Sequence, residues 1–205
     1  MKVLLLNGSP HEKGCTYTAL NEIAMTLEKD GVEAEILWLG TDAVKSCMAC
    51  GACRQLRKCV HDDIVNRVIE KLDECDGLVI GSPVHYAGAS GQTTAVMDRV
   101  FYAASGKLRL KPGAAIVSAR RGGTTAAFDQ LNKYFTIAQM PIVSSRYWNM
   151  VHGNTPEEVM RDEEGVAIMR TLGHNMAWLL KCIELGKQAG LAPETEEKIR
   201  TNFIR

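Results

Sequence analysis

The run Val3-Leu-Leu-Leu6, entered from Lys2 and stopped at once by Asn7-Gly8-Ser9-Pro10, constrains the fold more tightly than any other feature of the chain. A run without alternation of apolar and polar residues is a strand buried on both faces, and a Gly-Ser-Pro break ends it. The period then changes. Leu20, Ile23, Ala24 and Leu27 share one helical face of Thr16–Lys29, and Gly31 is placed to terminate that helix. Glu33–Leu39 predicts a second strand with Ala34, Ile36 and Trp38 inward. Asp62-Asp63 predicts a cap for a helix carrying Ile64, Val65, Val68, Ile69 and Leu72. Gly77–Gly81 predicts a third strand, broken by Ser82-Pro83. Thr93–Tyr102 predicts a helix with Val96, Met97, Val100 and Phe101 inward. Ala114–Ser118 predicts a fourth strand, Ala126–Met140 a helix, and Ile142–Ser144 the start of a fifth strand. Thr155-Pro156-Glu157-Glu158 reads as a capping box with proline in the first turn. A last helix carries Met169, Leu172, Met176, Leu179, Leu180 and Ile183, with Gly173 inside the pattern. Strands separated by helices imply a doubly wound α/β fold: a parallel sheet covered on both faces, in three layers.

The 205 residues suffice for one sizeable core, so one domain over residues 1–205 is expected, with the polar residues 190–205 as an exposed C-terminal arm. Basic and acidic side chains number 24 each. With no basic excess, neither nucleic acid nor an anionic membrane is an expected partner. Val3–Leu6 is too short for the core of a signal peptide, and no apolar stretch reaches the length of a membrane span. A cytoplasmic protein is expected. There, clustered cysteines are metal ligands or redox thiols before they are a disulfide framework.

In a doubly wound sheet, ligands bind outside the carboxyl ends of the strands, where the strand order switches. Four informative loops follow strands and fall on that edge: residues 7–18, 47–59, 81–92 and 119–125. The first, Asn7-Gly-Ser-Pro-His-Glu-Lys-Gly-Cys-Thr-Tyr-Thr18, offers backbone N–H groups at a helix start with Ser9, Thr16 and Thr18 as hydroxyl donors, a pattern suited to a phosphate. It has neither G-x-x-x-x-G-K-[ST] nor G-x-G-x-x-G, so neither an ATPase nor a dinucleotide site is indicated. An ordinary βα turn with a hydroxyl cap is the plainer reading of this segment alone. In Gly81-Ser-Pro-Val-His-Tyr-Ala-Gly88, Pro83 fixes the path while His85 and Tyr86 offer flat surfaces for a planar heterocycle; a tight turn shielding the core is the alternative. Ala119-Arg-Arg-Gly-Gly-Thr-Thr125 brings backbone N–H groups and guanidinium charge to the same edge, or is a solvated basic turn.

Four of the seven cysteines fall within thirteen residues: Cys47, Cys50, Cys53 and Cys59, spaced C-x2-C-x2-C-x5-C. Four thiolates this close can wrap one soft metal centre. A 4Fe–4S cluster, a zinc ion and a metal-free or oxidised thiol loop are the three readings of that spacing. Cys75 and Cys182 lie on apolar faces and are expected in the core, as is Trp178. Trp148 follows the predicted fifth strand, where it can cover a ligand.

The ordered motifs LLLNGSP…T, GSPVHYAG and SARRGG resemble the NADPH-dependent FMN reductase group of flavodoxin-like proteins. The cysteine motif followed by Val60-His-Asp-Asp63 is similar to the iron–sulfur flavoprotein branch of that group. Arg146-Tyr-Trp-Asn-Met-Val-His-Gly153 resembles a late segment near the flavin in such proteins. The resemblance implies a flavodoxin-like five-stranded parallel sheet of order 2-1-3-4-5, bound FMN, and a homodimer or homotetramer. It implies that Ser9, Cys15, Thr16, Tyr17 and Thr18 hold the FMN phosphate. Pro83, Val84, His85, Tyr86 and Gly88 would flank the isoalloxazine, with Ala119, Arg120 and Gly122 behind it. It also implies Cys47, Cys50, Cys53 and Cys59 as ligands of a 4Fe–4S cluster. His11 stands where arginine is usual in the family, and Cys15 where asparagine is usual.

The expected function is an FMN-dependent oxidoreductase in which NAD(P)H reduces the flavin and a small-molecule electron acceptor, such as a quinone, a nitro- or azo-compound or free flavin, reoxidises it. No side chain is needed as an obligatory acid or base, because the flavin carries the chemistry. One alternative passes electrons from ferredoxin through the cluster and FMN. Another is a redox or metal sensor.

Overall fold

In the computed structural model, residues 1–197, 199, 201 and 203 are described. Strand β1 (Lys2–Asn7) leads into helix α1 (Cys15–Lys29) and strand β2 (Glu33–Trp38). A long segment holding the one-turn helix α2 (Cys53–Leu56) follows, then α3 (Ile64–Lys71) and β3 (Gly77–His85). The short β4 (Gly88–Ala89) turns into α4 (Gly91–Leu108). The chain continues through β5 (Gly113–Ala119), α5 (Thr124–Ile137), β6 (Met150–His152), α6 (Pro156–Arg161) and α7 (Glu163–Gln188).

The strands pair in the order β2-β1-β3-β5-β6, all parallel, while β4 pairs antiparallel with β3. With the β4 hairpin set aside this is the expected 2-1-3-4-5 order. Leu4, Leu6, Leu78 and Ile80 face a core shared with α3, α4 and α5. Val3, Leu5, Val79 and Ile116 face the opposite one, shared with α1 and α7. Burial on both faces is why Val3–Leu6 could not alternate. Helices α1 and α7 approach so closely at Gly173 that a Cβ there would stand 2.8 Å from the Thr26 Cβ, so this glycine allows close packing and does not break the helix.

Two expectations about strands are corrected. Ser82-Pro83 does not end the third strand. It runs on to His85, because Ser82 and Pro83 pair with Val117 and Ser118 of β5 beyond Gly81, where pairing with β1 stops. A proline is tolerated where the sheet has become one-sided. The fifth strand is not Ile142–Ser144. Ile142 makes a single bridge to Gly113, residues 144–148 leave the sheet, and the ladder resumes with the Asn149 carbonyl accepting from the Val117 N–H at 3.0 Å and with Met150–His152. Asn149 fills the gap by donating from Nδ2 to the Ala115 carbonyl at 3.0 Å, in place of a strand N–H. Trp148 therefore precedes the fifth strand.

Other expectations meet the structure locally. Asp63 caps α3 by accepting from the Val65 N–H at 3.1 Å. Thr155 caps α6 by accepting from the Glu158 N–H, and the Glu158 carboxylate accepts from the Asn154 N–H at 2.6 Å. Cys75 is buried, in the turn before β3 and not on a helix. Cys182 and Trp178 are exposed on α7, which corrects their expected burial: their side of α7 lies opposite the stripe Met169, Leu172 and Met176 that the core takes up. The described residues of the expected arm, Leu191–Glu197 among them, are exposed; residues 198, 200, 202, 204 and 205 lie outside the described residues. No helix among the described residues is long and apolar enough to cross a membrane.

Candidate functional site

The loops of residues 7–18 and 81–92 are knitted together where β1 ends beside Gly81 of β3. The Gly8 N–H donates to the Gly81 carbonyl at 2.9 Å. The Gly8 carbonyl accepts from Ser90 Oγ at 2.9 Å and from Thr93 Oγ1 at 3.2 Å. Backbone and α4 meet so closely that a Cβ on Gly8 would lie 1.9 Å from Thr93 Oγ1, so only glycine fits. Asn7 closes the turn with its side chain, accepting from the Ser9 N–H at 3.1 Å and donating to the Glu12 carbonyl at 2.8 Å. Trp38 from β2 covers it, its Nε1 donating to the Ser9 carbonyl at 2.9 Å.

The helix that follows starts without a side-chain cap. Gly14 at the N-cap of α1 gives no side-chain cap, and the first turn carries no acidic residue. Helix α5 likewise starts from an uncapped glycine, Gly123. Helices α3, α4, α6 and α7 are all capped by Asp, Ser or Thr side chains. The N–H groups opening α1 are thus left without an intramolecular side-chain partner, at a positive helix end.

The expected phosphate residues separate into two kinds. Ser9 is buried, its Oγ accepting from the His11 N–H at 3.1 Å, and Thr18 Oγ1 donates to the Gly14 carbonyl at 3.1 Å. Thr16 is fully buried, with its hydroxyl 2.8 Å from Ser118 Oγ on β5. Cys15 and Tyr17 are half-buried. The Cys15 thiol donates to the Gly153 carbonyl at 3.7 Å, and burial pushes its pKa above the ordinary thiol value.

The loops of residues 81–92 and 119–125 are brought together. His85, Tyr86, Ala87 and Gly88 form a two-residue hairpin with φ of 50° at Tyr86 and 59° at Ala87, left-handed backbone at two residues that are not glycine. Tyr86 projects fully into solvent, His85 is exposed, and Pro83, Val84 and Gly88 are half-buried. Gly123, with φ of 96°, packs on the hairpin: a Cβ there would lie 2.8 Å from Ala87 Cα. Gln130 of α5 fixes the hairpin by accepting from the Ala89 N–H at 2.9 Å. Ala119 ends β5, and Arg120 and Gly122 are exposed beside it.

The four clustered cysteines line one cavity of about 190 Å³ with Arg99 and Tyr102. Cys47, Cys53 and Cys59 are half-buried and Cys50 is exposed. Among the described residues no three His, Cys, Asp or Glu side chains are grouped to hold one metal ion. A cluster asks for a different arrangement. Each thiolate takes its own iron, so the sulfurs stand farther apart than around one ion, and four thiols on one small cavity fit that donor set.

Sequence reasoning missed what holds this loop, which is helix α4. Gln92 Nε2 donates to the Leu39 and Gly40 carbonyls at 3.2 and 2.9 Å. Arg99, 2 % exposed, reaches Cys59, Lys45, His61 and Asp63. Burial works against its charge, and Asp63 with Cys59 outweighs it, holding the guanidinium pKa above the ordinary value. Asn66 of α3 grips Cys59 from both sides, accepting from its N–H at 2.8 Å and donating to its carbonyl at 3.1 Å. The available signal was a lone arginine on the apolar face Val96, Val100 and Ala103 of α4.

Residues 1–155 match the family described as NADPH-dependent FMN reductase. An iron-sulfur flavoprotein of Methanocaldococcus jannaschii is 31% identical over 192 residues, covering 90% of this chain and 100% of that protein. An iron-sulfur flavoprotein of Archaeoglobus fulgidus is 33% identical over 169 residues, covering 80% of this chain and 83% of that protein. Among solved structures, RosB with a bound 8-demethyl-8-formylriboflavin-5′-phosphate superposes with a TM-score of 0.71 at 14% identity, over 100% of this chain and 92% of that one. A flavodoxin from the domain Archaea does so with a TM-score of 0.58 at 16% identity, over 88% of this chain and 99% of that one. At these identities the structural matches show the flavodoxin-like fold alone.

Proposed function

The chain belongs to the NADPH-dependent FMN reductase family, and from that premise we propose that this flavin oxidoreductase binds FMN at the β1/β3 edge and passes electrons from NAD(P)H to a small-molecule acceptor. The observation that carries the reading is the uncapped, acid-free start of α1 beneath the Gly8–Gly14 turn. It leaves donors for one phosphate at the topological switch, where this strand order places its ligands.

Bound FMN supplies a ring that accepts a hydride and returns the electrons to an acceptor. The chain's own residues bind and orient. The opening N–H groups of α1, with Ser9, Cys15, Thr16, Tyr17 and Thr18, would hold the phosphate. Pro83, Val84, His85, Tyr86 and Gly88 would flank the ring, with Ala119, Arg120 and Gly122 behind it. Arg120 would supply positive charge to a reduced, anionic ring. No side chain moves a proton in this scheme.

A second reading rests on a separate observation, the shared cavity of Cys47, Cys50, Cys53 and Cys59. These four would hold a 4Fe–4S cluster, which would supply one-electron transfer and make ferredoxin a donor. Two relatives that carry the name iron-sulfur flavoprotein support it. The site is also proposed to work in a homodimer or homotetramer. Tyr147 and Trp148, with ring centroids 5.0 Å apart, stand about half exposed on the excursion that precedes the fifth strand, and a neighbouring subunit would cover them.

One anaerobic purification tests all of this. We expect FMN near one per chain, four irons with four sulfides, a dimeric or tetrameric mass by light scattering, and NAD(P)H oxidation with a quinone. Flavin-free protein after incubation with excess FMN overturns the first reading. FMN-loaded protein without iron overturns the second and leaves the first.

A further inference from the structure

Four cysteines line the cavity, and one of them is held differently from the others. Cys59 is gripped at its backbone by Asn66, and its Sγ receives the Arg99 Nε–H at 3.2 Å. Cys53 makes only a weak hydrogen bond, its thiol donating to the Tyr102 carbonyl at 3.8 Å, and a thiolate has no proton to donate there. The geometry points to Arg99 as a positioning residue that holds the Cys59 sulfur in place and sets the reduction potential of the cluster through its N–H and its charge. This rests on the iron–sulfur reading above.

The guanidinium is built into the fold. Nη1 donates to Asp63 Oδ2 at 2.7 Å and Nη2 to Oδ1 at 2.9 Å, a bidentate pair. Nη1 also reaches the Lys45 carbonyl at 3.2 Å, and Nη2 the His61 carbonyl at 3.4 Å. Those partners bracket the cysteine segment on both sides. Asp63 is itself fixed as the N-cap of α3. With both terminal nitrogens committed to Asp63 and to carbonyls, the planar fork can aim only Nε at the cavity. A lysine could keep the charge near Asp63, but it has no second donor in that fixed direction.

The consequence is directional. Reduction adds one electron to the cluster from an external reductant. No bond to Cys59 breaks and Arg99 keeps its protons. The reduced cluster is more negative, so a buried cation and an N–H on one of its sulfurs favour it over the oxidised form. Removing the donor therefore moves the midpoint to a more negative value.

The test compares wild type, R99K, R99Q and N66A, each reconstituted anaerobically with iron and sulfide. Iron per chain is measured, and the cluster is titrated with dithionite under electron paramagnetic resonance. The FMN midpoint of the same samples serves as an internal control. We expect R99K and R99Q to shift the cluster equilibrium at least tenfold towards the oxidised form, about 59 mV for one electron, with the FMN midpoint unmoved. N66A loosens Cys59 without touching the charge, and is expected to lower iron content while the remaining cluster keeps the wild-type midpoint. If R99Q leaves Asp63 unpaired and does not fold, R99K decides. A cluster midpoint in R99K equal to wild type, whatever its iron content, overturns the assignment and leaves the cluster reading standing. Wild-type protein that takes up no iron overturns the cluster reading, and this assignment with it.

Discussion

The turn after β1 and the segment after β2 leave adjacent strands at one sheet edge, yet they are held in opposite ways. Residues 8–14 are fixed by their own backbone, through Gly8 to Gly81, Ser90 and Thr93, with no room for a side chain at Gly8. Residues 39–63 hang from outside, on Gln92 and Arg99 of α4 and Asn66 of α3. Ala49, Gly51 and Arg57 within the segment take positive φ. A phosphate needs N–H groups already aimed, which a rigid turn provides. A metal centre brings its own binding energy, so its loop can be finished by the ligand. On the function proposed above, the difference would separate a site preformed by packing from a site completed by what it binds.

The sharpest way to break that comparison is to remove ligands one at a time. Cys47→Ser, Cys50→Ser, Cys53→Ser and Cys59→Ser should each lose most of the iron after anaerobic reconstitution, with FMN content unchanged. Cys75→Ser and Cys182→Ser should keep both, one being buried before β3 and the other exposed on α7. Iron, sulfide and flavin analysis on the six variants checks this. If FMN is lost together with iron, the two sites are not separately built.

The rigid turn is tested next. A Cβ on Gly8 would overlap Thr93 Oγ1 and press on the Gly81 carbonyl. Overpacking of this kind costs about 1–3 kcal/mol, and here it would also displace the N–H groups proposed to hold the phosphate. Gly8→Ala should lower FMN affinity roughly tenfold or more, since each 1.4 kcal/mol is a factor of ten. The double variant Gly8→Ala with Thr93→Ala should recover part of the loss by removing the overlapping hydroxyl. Fluorescence titration with FMN reads both. A double variant no better than the single would show that the Gly81 carbonyl, and not Thr93, sets the limit.

These two regions also differ in how much of them is legible in the amino-acid sequence. Val3–Leu6, the helical face of α1 and the Asp63 and Thr155 caps were legible because each rests on local periodicity or on a side chain bonding two or three residues away. The late start of the fifth strand was not. Its register depends on the Asn149 amide standing in for a backbone donor at Ala115, 34 residues distant. Ser82-Pro83 misled for a related reason: proline costs a strand a ladder bond only where a neighbouring strand faces its missing N–H, and by that point β1 has ended. The four cysteines were legible from spacing. Arg99 and Asn66 were not, because a buried polar residue on an apolar face acquires meaning only from the partners the fold brings to it.

Thr16 sharpens the comparison on a smaller scale. Its hydroxyl and that of Ser118 lie 2.8 Å apart, and either can donate. If Ser118 donates, the Thr16 proton is free for the phosphate. Thr16→Ala should then cost about 1.5–3 kcal/mol of FMN binding, as for a hydrogen bond to a charged group, and Ser118→Ala less. Thermal unfolding of the FMN-free proteins should fall in both variants, since each leaves a buried hydroxyl without its partner. Equal losses of stability with unchanged FMN affinity would take the Thr16 side chain out of the phosphate site and leave the backbone N–H groups there.

The smallest expected effect concerns the hairpin of β3 and β4. Ala87 sits at φ of 59° and Tyr86 at 50°, where a residue with a Cβ pays roughly 1–2 kcal/mol relative to glycine. Glycine also gains freedom in the unfolded chain, which offsets about 0.4–1 kcal/mol of that relief. Ala87→Gly should therefore stabilise the FMN-free protein by about 0.5–1 kcal/mol in urea unfolding and leave FMN affinity as it was. Tyr86→Gly should gain similar stability, because the exposed ring makes no packing contribution to the fold. It should also weaken FMN binding if the ring lies along the flavin, since base-like planar ligands draw affinity from such aromatic neighbours. Strain at an exposed tyrosine is then kept for the ligand and not for the fold. FMN affinity equal to wild type in both variants would remove Tyr86 from the ring site and leave the left-handed turn a feature of the hairpin alone.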